Sequence, residues 1–235
     1  MSARAAKLGE QIQKWSAEKV PRTMIVTQAI ADQTLLLECD SGLESAAREV
    51  LRTFADLAGS GKPMRDGFRI RFGWSLLTLR SDPAGLRVCE PLFTGDPDHA
   101  LNPNLDTTLG VLKAQVEWLQ RLGEQGSDVA FDQQIVVVGD ALATADIFAL
   151  QEEPKSDVDS GWSVAPVPAA GHDIDMSGLR ALPIHLLVAA RPGLLPILVL
   201  PTGYLVSLRQ NEVIEVEALS GRIGWQAPRS SDRRR

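Results

Sequence analysis

Ser156-Asp157-Val158-Asp159-Ser160-Gly161-Trp162 sets carboxylates, hydroxyls, a glycine and a large aromatic side by side in the C-terminal half of a 235-residue chain. Asp and Ser side chains bond nearby backbone groups and Gly takes positive φ, so Asp159-Ser160-Gly161 is expected to form a tight loop that presents Trp162. Two roles are open for that indole: an inward plug that fixes the loop, or an aromatic anchor for a partner. Under the first, Asp157 and Asp159 cap backbone amides, and Trp162→Ala costs roughly 3–5 kcal/mol. Under the second, the same change spares stability and weakens binding.

Working outward, strands are expected at residues 134–138 and 146–150 before the loop. A Pro/Ala/Gly segment follows it to Gly171. Residues 179–190 are expected to hold a short helix with Pro183 in its first turn, residues 194–200 a buried apolar run, and residues 204–208 and 213–216 a hairpin around Gln210-Asn211.

In the N-terminal half, Ala5, Leu8, Ile12 and Trp15 recur at helical spacing, which predicts a helix over residues 3–19. Strands are expected at 24–26 and 34–39. Leu43, Ala47, Val50, Phe54 and Leu57 form one apolar stripe, opened by a Ser41/Glu44 capping box and closed by Gly59. Phe68, Ile70, Phe72, Trp74 and Leu76 alternate with Arg69, Arg71, Gly73 and Ser75, the signature of one strand with one buried face. Ser81-Asp82-Pro83-Ala84-Gly85 reads as a turn and residues 86–89 as the returning strand. Residues 93–104 form a long loop. A third helix runs from Asp106, as cap, to Leu122, with Leu105, Leu109, Leu112, Val116 and Leu119 as its apolar face and Gly123 as its stop. These elements predict an α+β protein of two closely packed halves, with mostly antiparallel sheets and helices on one face. The halves are residues 1–124 and 129–225, and residues 226–235, with Arg229, Arg233, Arg234 and Arg235, are expected to form a disordered basic tail.

Length alone permits a substantial core without disulfides or metals. The composition, 44% apolar and 23% charged, is that of an ordinary globular chain. No apolar signal core opens the sequence, and Pro196, Pro201 and Gly203 interrupt the longest uncharged run, which excludes a membrane helix there. A cytoplasmic protein without membrane contact is expected, with Cys39 and Cys89 as buried free thiols. Net charge is −6, concentrated in two stretches. One carries Glu152, Glu153, Asp157, Asp159, Asp173 and Asp175 against Lys155, and the other Glu90, Asp96, Asp98 and Asp106 without a cation. Such surfaces repel nucleic acid and suit a basic partner.

No catalytic or metal-binding pattern survives inspection. Gly59-Ser60-Gly61-Lys62 follows a helix and is continued by Pro63, so it is not a phosphate loop. In Asp157-Val158-Asp159-Ser160-Gly161, Gly161 stands where a calcium loop needs an oxygen ligand, and Trp162 replaces the sixth-position glycine. His99, His172 and His185 lack zinc-hydrolase spacing. Gly73-Trp74-Ser75 lacks the second glycine of a nucleophile elbow. Neither cysteine has a histidine beside it, and nothing fixes a general-acid geometry around Glu152-Glu153 or Asp157-Asp159. No catalytic residue, metal or cofactor is expected, and binding is favoured over catalysis.

Asp159-Ser160-Gly161-Trp162, after a strand and an acidic connection, resembles a family of bacterial immunity proteins of polymorphic-toxin and type VI secretion systems that carry an Asp-Ser-Gly-Trp signature between two strands of a small α+β domain. The resemblance covers residues 131–219. It implies a cytoplasmic protein that binds and neutralises a cognate toxin or effector, such as a nuclease, by direct contact. Asp157, Asp159, Ser160, Trp162, Glu152, Glu153, Asp96 and Asp98 are the expected partner-binding residues. A chaperone or adaptor for a secreted effector and an enzyme with a site between the halves are the alternatives.

Overall fold

A computed structural model of the chain describes residues 22–30, 33–168 and 178–228. The expected helix over residues 3–19, the basic tail from Arg229, and His172, Asp173 and Asp175 lie outside the described residues. The architecture is α+β, built on two mostly antiparallel sheets.

The first sheet has the order β1-β2-β5-β4-β3, comprising β1 (Thr23–Ile30), β2 (Gln33–Asp40), β3 (Arg69–Phe72), β4 (Ser75–Asp82) and β5 (Gly85–Pro91), with short β6 (Leu101–Asn102) on the end of β5. Among the described strands of this sheet, β2–β5 is the only pair that runs parallel. α1 (Glu44–Gly59) covers one face, burying Ala47, Val50, Leu51 and Phe54 against Leu35, Leu37, Leu77, Leu79 and Val88. The Ser41/Glu44 capping box does not form. Asp40 instead accepts from the Gly42 amide at 2.8 Å and caps a 3-10 turn over Ser41–Leu43, so the helix proper starts without a side-chain cap.

The alternation from Phe68 to Leu76 is not one strand but a hairpin. Gly73 takes φ +55° and turns the chain between Phe72 and Ser75, which are register partners. Ile70 and Phe72 face α1 from β3, and Leu77 and Leu79 do so from β4. A two-residue turn shifts the parity, so Leu76 moves to the other face. Trp74, at the tip, inserts into the core of the second half, stacking on Phe93 at 4.6 Å between centroids.

The second sheet has the order β10-β7-β9-β8-β11-β12-β13, from β7 (Gln134–Val137), β8 (Asp146–Gln151), β9 (Asp159–Pro166), β10 (Arg180–Pro183), β11 (Tyr204–Arg209), β12 (Glu212–Ala218) and β13 (Ile223–Gln226). Two expectations change here. Asp159-Ser160-Gly161-Trp162 opens an interior strand, β9, inserted between β7 and β8, and is not a loop; its alternate residues Ser160, Trp162 and Val164 are buried. Residues 180–183 form β10, and helix follows only as a 3-10 turn at Ile184–Leu186 and α3 (Leu187–Ala190), so Pro183 ends a strand. The expected hairpin does turn at Gln210, which takes φ +55°.

α2 (Asp106–Leu122) serves both cores. Leu105 and Leu109 pack in the first; Leu112, Trp118, Leu119 and Leu122 pack against the second. Its inward face includes Thr108 and Gln115, whereas Val116 is half exposed. Gln115 reaches a buried backbone acceptor, donating to the Leu195 carbonyl at 3.1 Å, which outweighs the apolarity of its neighbour. Gly123 ends the helix in the left-handed conformation, φ +69°.

Candidate partner-binding surface

The start of β9 is held by a dense set of local bonds. Asp159 accepts from the Lys155 amide at 3.0 Å and the Gly161 amide at 2.8 Å, and these two donors hold its carboxyl below the usual range. Ser160 donates to the Gln134 carbonyl at 2.7 Å, fastening β9 to β7. Gly161 takes φ +74°, and a Cβ there would lie 2.2 Å from the Glu152 carbonyl oxygen, so glycine is required twice over. The ladder slips at this point, where the Gln134–Asp159 pair is followed by Val136–Ser163.

Trp162 is 1% exposed, in the core with Val164, Leu198 and Leu200. Its indole N–H donates to the Leu198 carbonyl at 2.8 Å, the polar partner a buried tryptophan needs. In this arrangement Trp162 is the inward plug, and Ser160 is buried beside it.

The remaining expected site residues fall into two groups. Glu152, Glu153 and Asp157 are exposed on the turn between β8 and β9. Asp157, with Asp128 and Asp132, lines a groove of about 560 Å3 at the junction of the two halves, whose wall also includes Arg71, Gln133 and Val158. Arg71 reaches Asp132 only at 3.5 Å, with both side chains about half exposed. Gln133 donates to the Asp157 carbonyl at 3.1 Å and accepts from the Ala130 amide, bracing the turn against the loop before β7. Val158 stands 61% exposed beside the carboxylates. Asp96 and Asp98 belong to a different loop. Asp96 is held low by its hydrogen bond with His99, at 3.1 Å, and Asp98 lines a separate depression with Arg69 and Arg80.

The second acidic stretch is thus less of a surface than its composition predicts. Glu90 is fully buried, accepting from the Thr108 amide at 2.7 Å and from Asn102 at 3.3 Å. Burial pushes its carboxyl up from 4.5 to about 7, against the hydrogen bonds that favour the charge. Asp106 accepts from the Asp40 amide and ties α2 to β2. In the sequence, Asp128 and Asp132 carry no signal beyond a pair of acids bracketing the apolar Val129-Ala130-Phe131. Among the described residues, no three His, Cys, Asp or Glu side chains converge as metal ligands, and no helix is long and apolar enough to cross a membrane.

Residues 114–218 match the Imm33-like domain, an immunity-protein-like family. The match begins within α2, ends with β12, and contains Asp159-Ser160-Gly161-Trp162, the acidic turn and Asp128, Asp132 and Asp157 of the groove. The first sheet and α1 lie outside the Imm33-like region. No curated protein and no solved structure matches the chain.

Proposed function

We propose that the chain is a cytoplasmic immunity protein that neutralises a cognate toxin of a polymorphic-toxin or type VI secretion system by direct contact, without catalysis. The observation that carries this reading is the Imm33-like match over residues 114–218. Within that span, Asp128, Asp132 and Asp157 line the groove beside the exposed Val158, and Glu152 and Glu153 are exposed at the start of the same β8–β9 turn. The toxin contributes a basic surface, such as the cleft of a nuclease, to which these carboxylates stand in for phosphates. Asp159, Ser160 and Trp162 act as the scaffold of the turn, and Asp96 and Asp98 lie apart from the contact.

Charge complementarity of this kind mainly accelerates association, by roughly 10- to 1,000-fold at low salt. The test is association of the purified chain with the toxin domain encoded by the neighbouring reading frame, measured across a salt titration. Glu152→Lys, Glu153→Lys and Asp157→Lys are expected to slow association and flatten its salt dependence while leaving unfolding unchanged. A salt-independent rate would remove the electrostatic part, and a neighbouring metabolic operon without a toxin would remove the reading itself.

A further inference from the structure

The face of the first sheet turned away from α1 carries a site of opposite character. Arg69 on β3 and Thr78 on β4 are register partners, and Arg80 follows two residues along the same face. With Asp98, His99 and the end of the loop over residues 93–100, they enclose a depression of about 390 Å3, a volume suited to a small molecule. Two of its groups are unspent. Thr78 is 2% exposed, and its hydroxyl, unlike that of Thr108, which donates to Ser75 Oγ at 2.9 Å, has no hydrogen-bond partner among the described residues. Arg69 likewise makes no ion pair among them, whereas Arg71 and Arg80 reach Asp132 and Asp66 at 3.5 and 3.4 Å.

We propose that this depression binds the phosphate group of a small molecule, with the Arg69 and Arg80 guanidinium groups on its oxygens and the Thr78 hydroxyl donating from the floor. A guanidinium fork matches tetrahedral oxyanions in geometry as well as charge. The Thr78 hydroxyl, which lines the depression, adds a neutral donor to the two guanidinium groups. Asp98 opposes the anion from the rim. Cys89, beneath, keeps its proton because burial raises its thiol, and takes no part. The site is independent of the acidic groove and of the Imm33-like match, which begins downstream of all of these residues.

Calorimetric titration of the full chain with inorganic phosphate, and separately with a nucleoside monophosphate, tests the proposal and separates its two sources. Saturable binding of either is expected, with equal affinity if only the phosphate is read and tighter binding of the ester if the rest of the molecule is also held. Arg69→Gln is expected to weaken binding about tenfold or more, the loss of one charge-assisted interaction, Thr78→Val to weaken it several-fold, and Asp98→Asn to tighten it. Thermal unfolding of each variant confirms that it is folded. No saturable binding of either ligand, or an affinity that Arg69→Gln leaves unchanged, overturns the assignment.

Discussion

Truncating Trp162 to alanine should unfold the second half of the molecule more readily than any single surface change. The side chain is 1% exposed and surrounded by the apolar residues of β8, β11 and the 3-10 segment Pro192–Ile197, so its removal leaves a cavity too enclosed to collapse. Large aromatic truncations of this kind cost about 3–5 kcal/mol. The same change leaves the Leu198 carbonyl without its indole donor. Trp162→Phe isolates that second part: most of the volume remains, and the unpaired acceptor costs about 1–3 kcal/mol. At roughly 2–4 °C per kcal/mol for a chain of this size, Trp162→Ala should lower the melting temperature by roughly 6–20 °C. Urea unfolding followed by near-ultraviolet circular dichroism measures both variants against the parent. A loss below about 1 kcal/mol for Trp162→Ala, accompanied by weakened toxin binding, would mean that the indole works at the surface and would refute the plug.

Gly161→Ala should cost about 1–3 kcal/mol from the left-handed backbone alone, and more because its Cβ meets the Glu152 carbonyl at 2.2 Å; unfolding midpoints check this, and a neutral result would mean that the β8–β9 turn yields freely. Glu90 makes stability pH-dependent with a definite sign. Because its folded carboxyl titrates near 7 rather than 4.5, the folded state binds the extra proton, so its contribution is present below about pH 4.5 and is lost as pH rises through 7. The loss amounts to up to about 3 kcal/mol. Glu90→Gln should abolish that part of the pH profile in chemical denaturation. Cys39 and Cys89 are free and buried, and burial, reinforced by Asp106, pushes Cys39 up to about 11; neither thiol should react with an aromatic disulfide reagent at pH 8 until the protein is unfolded, which a colorimetric thiol assay reads directly.

Where local chemistry set the outcome, the elements were legible from the residues. Gly123 stops α2, Asp82 to Gly85 turns β4 into β5, and Gln210-Asn211 turns β11 into β12, because each depends on a few adjacent residues whose preferred conformations agree with the fold. The alternation around Trp74 misled because a two-residue turn at Gly73 preserves an apolar-polar rhythm while changing which face each residue occupies. Of the candidate site, the exposed turn with Glu152, Glu153 and Asp157 was visible as composition. Its neighbours Asp128, Asp132 and Arg71 were not, because a groove at the junction of two halves joins segments far apart in sequence.

Asp159-Ser160-Gly161-Trp162 divides along the same line. The residues by themselves determined that Asp159 would hold backbone amides and that Gly161 would take positive φ, since both follow from side chains and backbone within a few positions. Only the tertiary structure decided that this turn chemistry begins a strand. Ser160 fastens it to β7, the ladder of β8 receives it on the other side, and the Leu198 carbonyl accepts the indole proton. Those partners lie up to 36 residues away in sequence. Burial of a large aromatic and satisfaction of backbone bonds by distant strands outweigh a local preference for a loop.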